Sequence, residues 1–450
     1  MRSVQRIPEA ASGARRWTAF RRRGAFCTAL ALSAVGLAAC GSSSGNSATP
    51  TLNWYINPNS SGSYAKVAAA CQKQAAGKYK LNLAVLPTTA DGQREQIVRR
   101  LAAGDSSMDF ANVDPPYTAE LANAGWLRPF TDAERTDLLK GVLGAPIKSG
   151  IWKGKLVGAP WQANTQLLWY RKSVAQQAGI DPQSPDFTWD QMIDAAVKTG
   201  TIVGEQGKKY EGYMVWVNAM VLGAGGSILQ HNDKGKDATV SINSAAAKRA
   251  AEVIKKLATS KAADPALSTA DEAIALATFE GPKGGFLLNW PYVYAAFQAD
   301  LKAGVARKTI LSDLGVARYP RVDASLPSKP PSGGINLAVS KFSKHPAESV
   351  AAIKCIISPA MEKLDMQIAG DPQANGTLYD DPEIKKAFPM AALIRQSIND
   401  AGPRPITPFY GDVSGAIQRD WQPASGLKPG STPAASATLI RDVLHDKRLL

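Results

Sequence analysis

After residue 50 the apolar and polar positions switch repeatedly between a period of two and a period near 3.6. Leu52–Ile56 reads as a strand. Tyr64–Ala76 has helical spacing. Leu81–Leu86 is a β run ended by Pro87, Gln93–Ala103 is an amphipathic helix, and Met108–Val113 is a strand stopped by Asp114-Pro115-Pro116. Strand, helix, strand, helix, strand implies a parallel α/β sheet with right-handed crossovers. Ligands of such sheets sit beyond the carboxyl ends of the strands, and Asp114 stands at such an end.

A second informative stretch is Asn164–Lys198. The β run Leu167–Tyr170 leads into a helix closed by Gly179. After a Pro-rich turn, Thr188 caps a helix that opens with Trp189-Asp190.

The first fifty residues have a different character. Arginines between residues 2 and 23 precede an apolar stretch, Ala25 to Ala39, too short to span a bilayer. The chain then reads Leu37-Ala38-Ala39-Cys40-Gly41, which resembles a bacterial lipobox. Residues 1–39 are therefore expected to be a signal peptide, and Cys40 to carry the lipid anchor. The alternative is an ordinary signal peptide with Cys40 there by chance. The Gly/Ser-rich stretch up to residue 50 reads as a flexible tether. Its formal G-x-S-x-G, Gly41–Gly45, lacks the strand and helix that a nucleophile elbow needs.

Charge narrows the partners. The net +14 includes +6 from the first 39 residues, which hold seven arginines and one glutamate, so +8 remains without them. The remaining cations are dispersed among acids, with no basic stripe interleaved with aromatics, so nucleic acid is not an expected partner. Three scattered histidines, His231, His345 and His445, read as surface residues. With no H-E-x-x-H, C-x-x-C or P-loop pattern, no metal or cofactor is expected.

Four blocks in order carry a family resemblance: the strand–helix–AGI–loop–TWD segment at 164–198, GAGGSIL at Gly223–Leu229, FEGPKGGFLLNWPYVY at Phe279–Tyr294, and GGINLAVSKFSKHPAESVAAIKCIIS at Gly333–Ser358. They resemble the extracellular solute-binding proteins of ABC sugar importers. NTQLLWYR, VWVNAMVLGAGGSIL, NWPYVYA, GGINLAVSK and RPITPFY are most similar to the trehalose-binding lipoproteins of that family.

The resemblance implies a two-lobed, periplasmic-binding-protein-like α/β fold with a hinge and a central cleft. Each lobe is a mostly parallel sheet flanked by helices. Lobe 1 is expected at 51–160 plus 332–385, and lobe 2 at 161–331 plus 386–450. The implied partners are a disaccharide, trehalose first, and the membrane permease. The implied location is the outer face of the cytoplasmic membrane, held through Cys40, as a monomer. Maltose, another α-glucoside or a glycerophosphodiester are alternative ligands.

A sugar needs a flat aromatic surface for its C–H faces and fixed polar groups for its hydroxyls. The resemblance puts Trp290 forward as the stacking platform. Asn59, Ser60, Asp114, Asn164, Glu280, Asn289, Gly334 and Arg404 are the further ligand contacts. Each also has a plainer reading: a core tryptophan, a helix cap at Asp114, a turn at Asn164, a solvated helix end at Glu280, a surface charge at Arg404. Cys71 and Cys355 fall in one lobe of the implied fold and are expected to be bridged, the alternative being two buried thiols. The main rival function is an exported glycan hydrolase with Glu280 and Asp114 as its carboxylate pair. An adhesin or cell-wall lipoprotein is a third.

Overall fold

The computed structural model describes residues 49–450, which form one compact unit. The expected signal peptide, Cys40 and nearly all of the tether lie outside the described residues. In chain order the strands are β1 (Thr51–Ile56), β2 (Lys80–Val85), β3 (Phe110–Val113), β4 (Ile151–Trp152), β5 (Lys155–Leu156), β6 (Ala159–Thr165), β7 (Leu167–Arg171), β8 (Ile202–Gly204), β9 (Leu229–Gln230), β10 (Thr239–Val240), β11 (Gly284–Asn289), β12 (Leu314–Ala317) and β13 (Ser332–Val339).

Two sheets define two lobes. The first has the order β2-β1-β3-β13-β6, and the second β12-β7-β11-β8. β1, β2 and β3 run parallel, as the strand–helix alternation predicted, while β13 runs antiparallel to both β3 and β6. In the second sheet β11 is parallel to β8 and antiparallel to β7. The two-lobed α/β architecture matches expectation, but the sheets are not mostly parallel: two of the four pairings in the first and two of the three in the second are antiparallel.

Period-two alternation sorts the side chains between cores. In the first sheet Leu52, Trp54, Phe110, Trp161 and Leu337 point to one core, and Tyr55, Ala111, Val113 and Ala338 to the other. Helix Ser63–Gln74 covers the first face through Val67, Ala68 and Cys71. Helix Ala90–Ala102 covers the second through Ile97 and Leu101. In the second sheet Leu168, Tyr170, Phe286 and Leu288 face one helical layer, and Leu167, Trp169 and Leu287 face another. Both faces of each central strand are buried, which is why LLWY and FLL read as unbroken apolar runs.

Local signals place the helices. Thr188 caps helix Trp189–Thr199 in a capping box with Gln191, and Gly179 closes helix Lys172–Ala178 in the left-handed conformation. Cys71 on helix Ser63–Gln74 is bonded to Cys355 on helix Pro346–Ile356, so the expected pairing is present. His231 and His445 are exposed and His345 is half-buried. Among the described residues no helix is long and apolar enough to cross a membrane.

Candidate functional site: an acid-lined cleft between the sheets

Strand direction locates the cleft. β1, β2 and β3 end at Ile56, Val85 and Val113, and antiparallel β13 begins beside them at Ser332. β6 ends at Thr165 and β7 begins at Leu167, so the chain crosses between sheets over Gln166 alone. Leu167 pairs with Asn289 at the end of β11, and β8 ends on the same edge at Gly204. The carboxyl ends of both sheets therefore face each other. A second strand of crossing backbone, Pro330–Ser332, is held to Gly402 by the bonds Gly402 N to Pro330 O at 2.8 Å and Ser332 N to Gly402 O at 3.2 Å.

Asp114 and Arg404 meet across this gap. The Arg404 guanidinium donates Nη2 to Asp114 Oδ1 at 2.6 Å and Nη1 to Asp114 Oδ2 at 3.1 Å. Nη1 also reaches Glu211 Oε1 at 2.6 Å. Glu211 accepts further bonds from the hydroxyls of Tyr410 and Ser414. Arg404 is 5% exposed, so it is not the surface charge; Nη1 and Nη2 are taken by the two carboxylates, while Nε is buried without a partner. Asp114 occupies the cap position before Pro115 yet makes no capping bond; its carboxylate is committed to Arg404. Burial pushes the Glu211 carboxyl up and the Arg404 charge pulls it back. Asp91, on the first lobe, accepts from Glu211 N at 2.9 Å and adds a second tie between the walls.

Trp290 stands at the end of β11, half-buried, against the start of β13. A Cβ placed on Gly333 would lie 2.9 Å from Trp290 Cη2 and Cζ3 and 3.7 Å from Asn164 Cβ. Three of the expected regions, Trp290, Asn164 and the Gly333-Gly334 pair, are thus brought together. Asn164 sits near the end of β6. Its Oδ1 accepts from Thr165 N at 3.0 Å, a turn-like bond. Gly334, with φ 126°, pairs with Ala163, and a Cβ there would collide with Gln162 O at 2.1 Å. Its part is to let β13 and β6 approach.

Asn289 is fully buried and positions Trp290. Its Oδ1 accepts from Trp290 N at 2.8 Å, its Nδ2 donates to Glu272 O at 3.3 Å, and its carbonyl accepts from Trp169 Nε1 at 3.0 Å. All its polar atoms are used inside the lobe, which corrects its expected role as a ligand contact.

Glu280 is placed away from Trp290. It is the last residue of helix Glu272–Glu280, just before the start of β11, whereas Trp290 follows the end of that strand. Six residues of strand separate the two ends, about 20 Å. Glu280 faces Asp300 and Arg307, and burial with the Asp300 charge raises its pKa to about 6. The hydrolase pair of Glu280 with Asp114 is therefore not assembled, and Asp114 is already paired with Arg404. The antiparallel run of the helix back along β11 puts its other end, Glu272, at the cleft. Burial raises the Glu272 carboxyl, and the neighbouring Tyr292 and Trp290 side chains lower it.

Asn59 acts locally. Its Oδ1 accepts from Tyr64 N at 3.3 Å and its Nδ2 donates to Ser63 Oγ at 3.1 Å, ordering the entry to helix Ser63–Gln74. Ser60 is exposed beside it.

Several cleft residues were not legible in advance. Gln162 donates to Asp365 Oδ2 at 2.8 Å, Gln373 donates to the same oxygen at 2.8 Å, and Tyr64 OH reaches Gln162 Oε1 at 3.5 Å. Asp371 follows the end of helix Pro359–Ala369, which carries Asp365, and its charge acts on Tyr292. On the other wall, Glu205 and Gln206 follow β8. Glu205 Oε1 accepts from Gln206 N at 2.8 Å, Oε2 is buried without a partner, and burial raises its pKa to about 8. One signal was available: the helix Glu211–Gly223 is apolar on nearly all sides, with Asn218 in its middle and a lone acid in its first turn.

Two further cavities lie elsewhere. One, about 530 Å³, is lined by residues including Leu127, Trp152 and Lys341; the other, about 620 Å³, by residues including Leu138, Ile357 and Glu362. Neither contains any expected contact. Among the described residues no group of three His, Cys, Asp or Glu side chains is arranged to hold a metal ion.

The fold and cleft have relatives. A probable ABC transporter-binding protein of Deinococcus radiodurans is 26% identical over 354 residues, 75% of this chain and 80% of that protein. The solved structure of maltose-bound MalE3 of T. maritima superposes with a TM-score of 0.77 at 23% identity, covering 89% of this chain and all of that one. The GacH receptor of Streptomyces glaucescens superposes with a TM-score of 0.75 at 21% identity, over 88% of this chain and 99% of that one. The family and these neighbours are solute-binding proteins of ABC transporters, not enzymes. Residues 57–363 match the family model, and the chain belongs to the bacterial extracellular solute-binding proteins.

Proposed function

We propose that this chain is the substrate-binding lipoprotein of an ABC sugar importer, capturing a disaccharide, trehalose in the first place, and passing it to the permease. The observation that carries this is Trp290: a half-buried indole at the carboxyl end of β11, set against Gly333 where the two sheets face each other. A half-covered ring offers an apolar plane to a sugar's C–H face, worth about 1–3 kcal/mol. Carboxylates and amides on both walls supply acceptors and donors for hydroxyls. Solved neighbours are described as bound to maltose, α-D-tagatose, ribitol and D-mannitol, which speaks for a polyhydroxyl ligand. Trehalose itself rests on the resemblance to LpqY, the trehalose-binding lipoprotein.

In this reading lobe 1 is 51–160 plus 332–385 and lobe 2 is 161–331 plus 386–450, with hinge closure burying the sugar. Cys40 anchors the mature chain to the outer face of the membrane. A glycerophosphodiester fits less well, because Arg404 is already taken by Asp114 and Glu211. A disaccharide of about 23 non-hydrogen atoms at about −0.3 kcal/mol each gives about −7 kcal/mol, roughly micromolar.

Calorimetric titration with trehalose and then maltose tests the proposal. Micromolar binding that Trp290→Ala abolishes is the expected result. Heat with another sugar alone changes the ligand, and turnover of either disaccharide overturns the receptor assignment.

A further inference from the structure

The edge of the first sheet that lies away from the cleft carries a basic cavity. β1 and β3 begin on this edge, and antiparallel β13 ends there at Val339. The cavity of about 530 Å³ opens just past Val339, where Ser340 bridges to Leu127. Its apolar wall is Leu127 and Val157 with half-buried Trp152, and its exposed rim holds Lys153, Lys155 and Lys341. Among the described residues no Asp or Glu lines it. Arg128 lines it too but is held by Glu134 at 3.0 Å, whereas the three lysines have no carboxylate partner among the described residues.

The hairpin that presents two of these lysines carries one of them against its backbone preference. β4 and β5 pair Trp152 with Lys155 across the turn Lys153-Gly154, in which both residues are left-handed, with φ 47° and 78°. Asn, Asp or Gly usually takes the first of these positions. Lys153 instead keeps a charge 5.6 Å from the centroid of the Trp152 ring.

The first strand starts beside this cavity. Asn53 N on β1 donates to Asp109 Oδ2 at 2.8 Å, and Ser343 Oγ, on the cavity wall, donates to Asp109 Oδ1 at 2.6 Å. β1 and β13 flank β3, so they lie two strand spacings apart, about 10 Å. Cys40, the expected point of lipidation, precedes Thr49 by nine residues, at most about 30 Å of chain. An anchored chain therefore keeps this edge within reach of the bilayer surface.

We propose that the cavity takes the phosphate-bearing headgroup of an anionic phospholipid in the chain's own membrane. This rests on the lipid-anchor reading above. The lysines meet the phosphate as point charges, and Trp152 lies against the glycerol, an indole being suited to a boundary that is apolar on one side and wet on the other. The permease is a poorer occupant, because it must receive sugar from the cleft, at the opposite edge of the sheet. A chain docked by this edge holds its cleft toward the medium, where sugar arrives, and lets go of the surface to deliver it.

Vesicle flotation of residues 49–450, the compact unit, tests the proposal. Binding to vesicles of phosphatidylglycerol mixed with phosphatidylcholine, and not to phosphatidylcholine alone, is expected, and raised salt weakens it. Lys153→Asn, Lys155→Gln and Lys341→Gln are each expected to lower the partition about fivefold. Lys261→Gln, Lys302→Gln and Lys308→Gln remove the same charge from the second lobe and are expected to lower it little. Equal loss in the two sets means that net charge alone attracts the vesicle, and overturns the site. Absence of vesicle binding overturns the proposal and leaves the anchor standing. Micromolar binding of soluble glycerol phosphate that the cavity substitutions abolish makes this a solute site and overturns the membrane contact. Binding that appears only with permease reconstituted in the vesicle gives the cavity to the permease and overturns it too. The mass of the mature chain from cells reads the anchor separately: an unmodified Cys40 overturns the anchor and the proposal together.

Discussion

The benzo ring of Trp290 rests on Gly333 so closely that a methyl group there would lie 2.9 Å from two ring carbons. The two residues come from opposite sheets, so the glycine sets how near the platform approaches the first lobe. Gly333→Ala is expected to push the indole out of place without disturbing either core. Sugar affinity should fall by roughly 5–30-fold, or about 1–2 kcal/mol, while the melting temperature changes little. Titration calorimetry and tryptophan fluorescence on the same samples measure both; unchanged affinity would show that the ring is free to adjust.

Arg404 is a buried cation between two carboxylates, one from each lobe. Its removal strands Glu211, which is 2% exposed. Arg404→Ala is expected to cost roughly 3–5 kcal/mol of stability, seen as a large drop in denaturant midpoint. Arg404→Lys keeps the charge but not the fork that spans Asp114 and Glu211, so it should recover only part of the loss. If Arg404→Ala unfolds like wild type, the three residues are not coupled in the way their distances imply.

Much of the fold could be read from local pattern, and much of the site could not. The helices around Val67 and Ile97 and the strands around Trp54 and Val113 announce themselves by period, because each buries one stripe or both faces. The site depends on which strand end faces the other lobe, and that is a property of pairing. Glu280 and Glu272 lie on one short helix. Only the return of that helix along β11 decides that Glu272, not Glu280, reaches Trp290. Asn289 looked like a contact because it adjoins Trp290, but strand alternation turns it into the lobe. Asp365 and Gln373 are joined by a hydrogen bond that no spacing rule picks out. Arg404 was legible as a site residue through resemblance, yet its two carboxylate partners lie 290 and 193 positions away in sequence.

Glu205 gives the molecule a pH dependence with a definite sign. Its pKa is raised by burial from 4.5 to about 8. A carboxyl raised on folding makes the native state bind the extra proton. Its burial therefore costs stability progressively as pH rises from the unfolded value through the folded one, and adds no further slope above about pH 8. Glu205→Gln keeps the acceptor for Gln206 N and removes the titration. The variant is expected to be more stable than wild type near neutral pH, by roughly 3–5 kcal/mol at most, and no more stable at about pH 4. Melting curves across that range check it; parallel curves for the two proteins would show that Glu205 is ionised in the folded state.

The disulfide makes a separate prediction, because it acts on the unfolded chain. Cys71 and Cys355 are 284 residues apart and link two helices packed on the same face of the first sheet. Closing so long a loop removes much unfolded-state entropy, while the native contacts around it, Val67 and Ile353 among them, stay in place when the bond is absent. Cys71→Ser with Cys355→Ser should therefore fold to the same structure and lose roughly 2–5 kcal/mol. The loss should appear in thermal unfolding, with sugar affinity nearly unchanged, since the bond lies on a helix-covered face and none of the cleft residues contacts it. A double variant that melts with the wild type would mean that the unfolded chain is already compact around these two helices. A double variant that keeps its stability but loses sugar binding would mean that the bond holds helix Ser63–Gln74, and with it Tyr64, in the register the cleft requires.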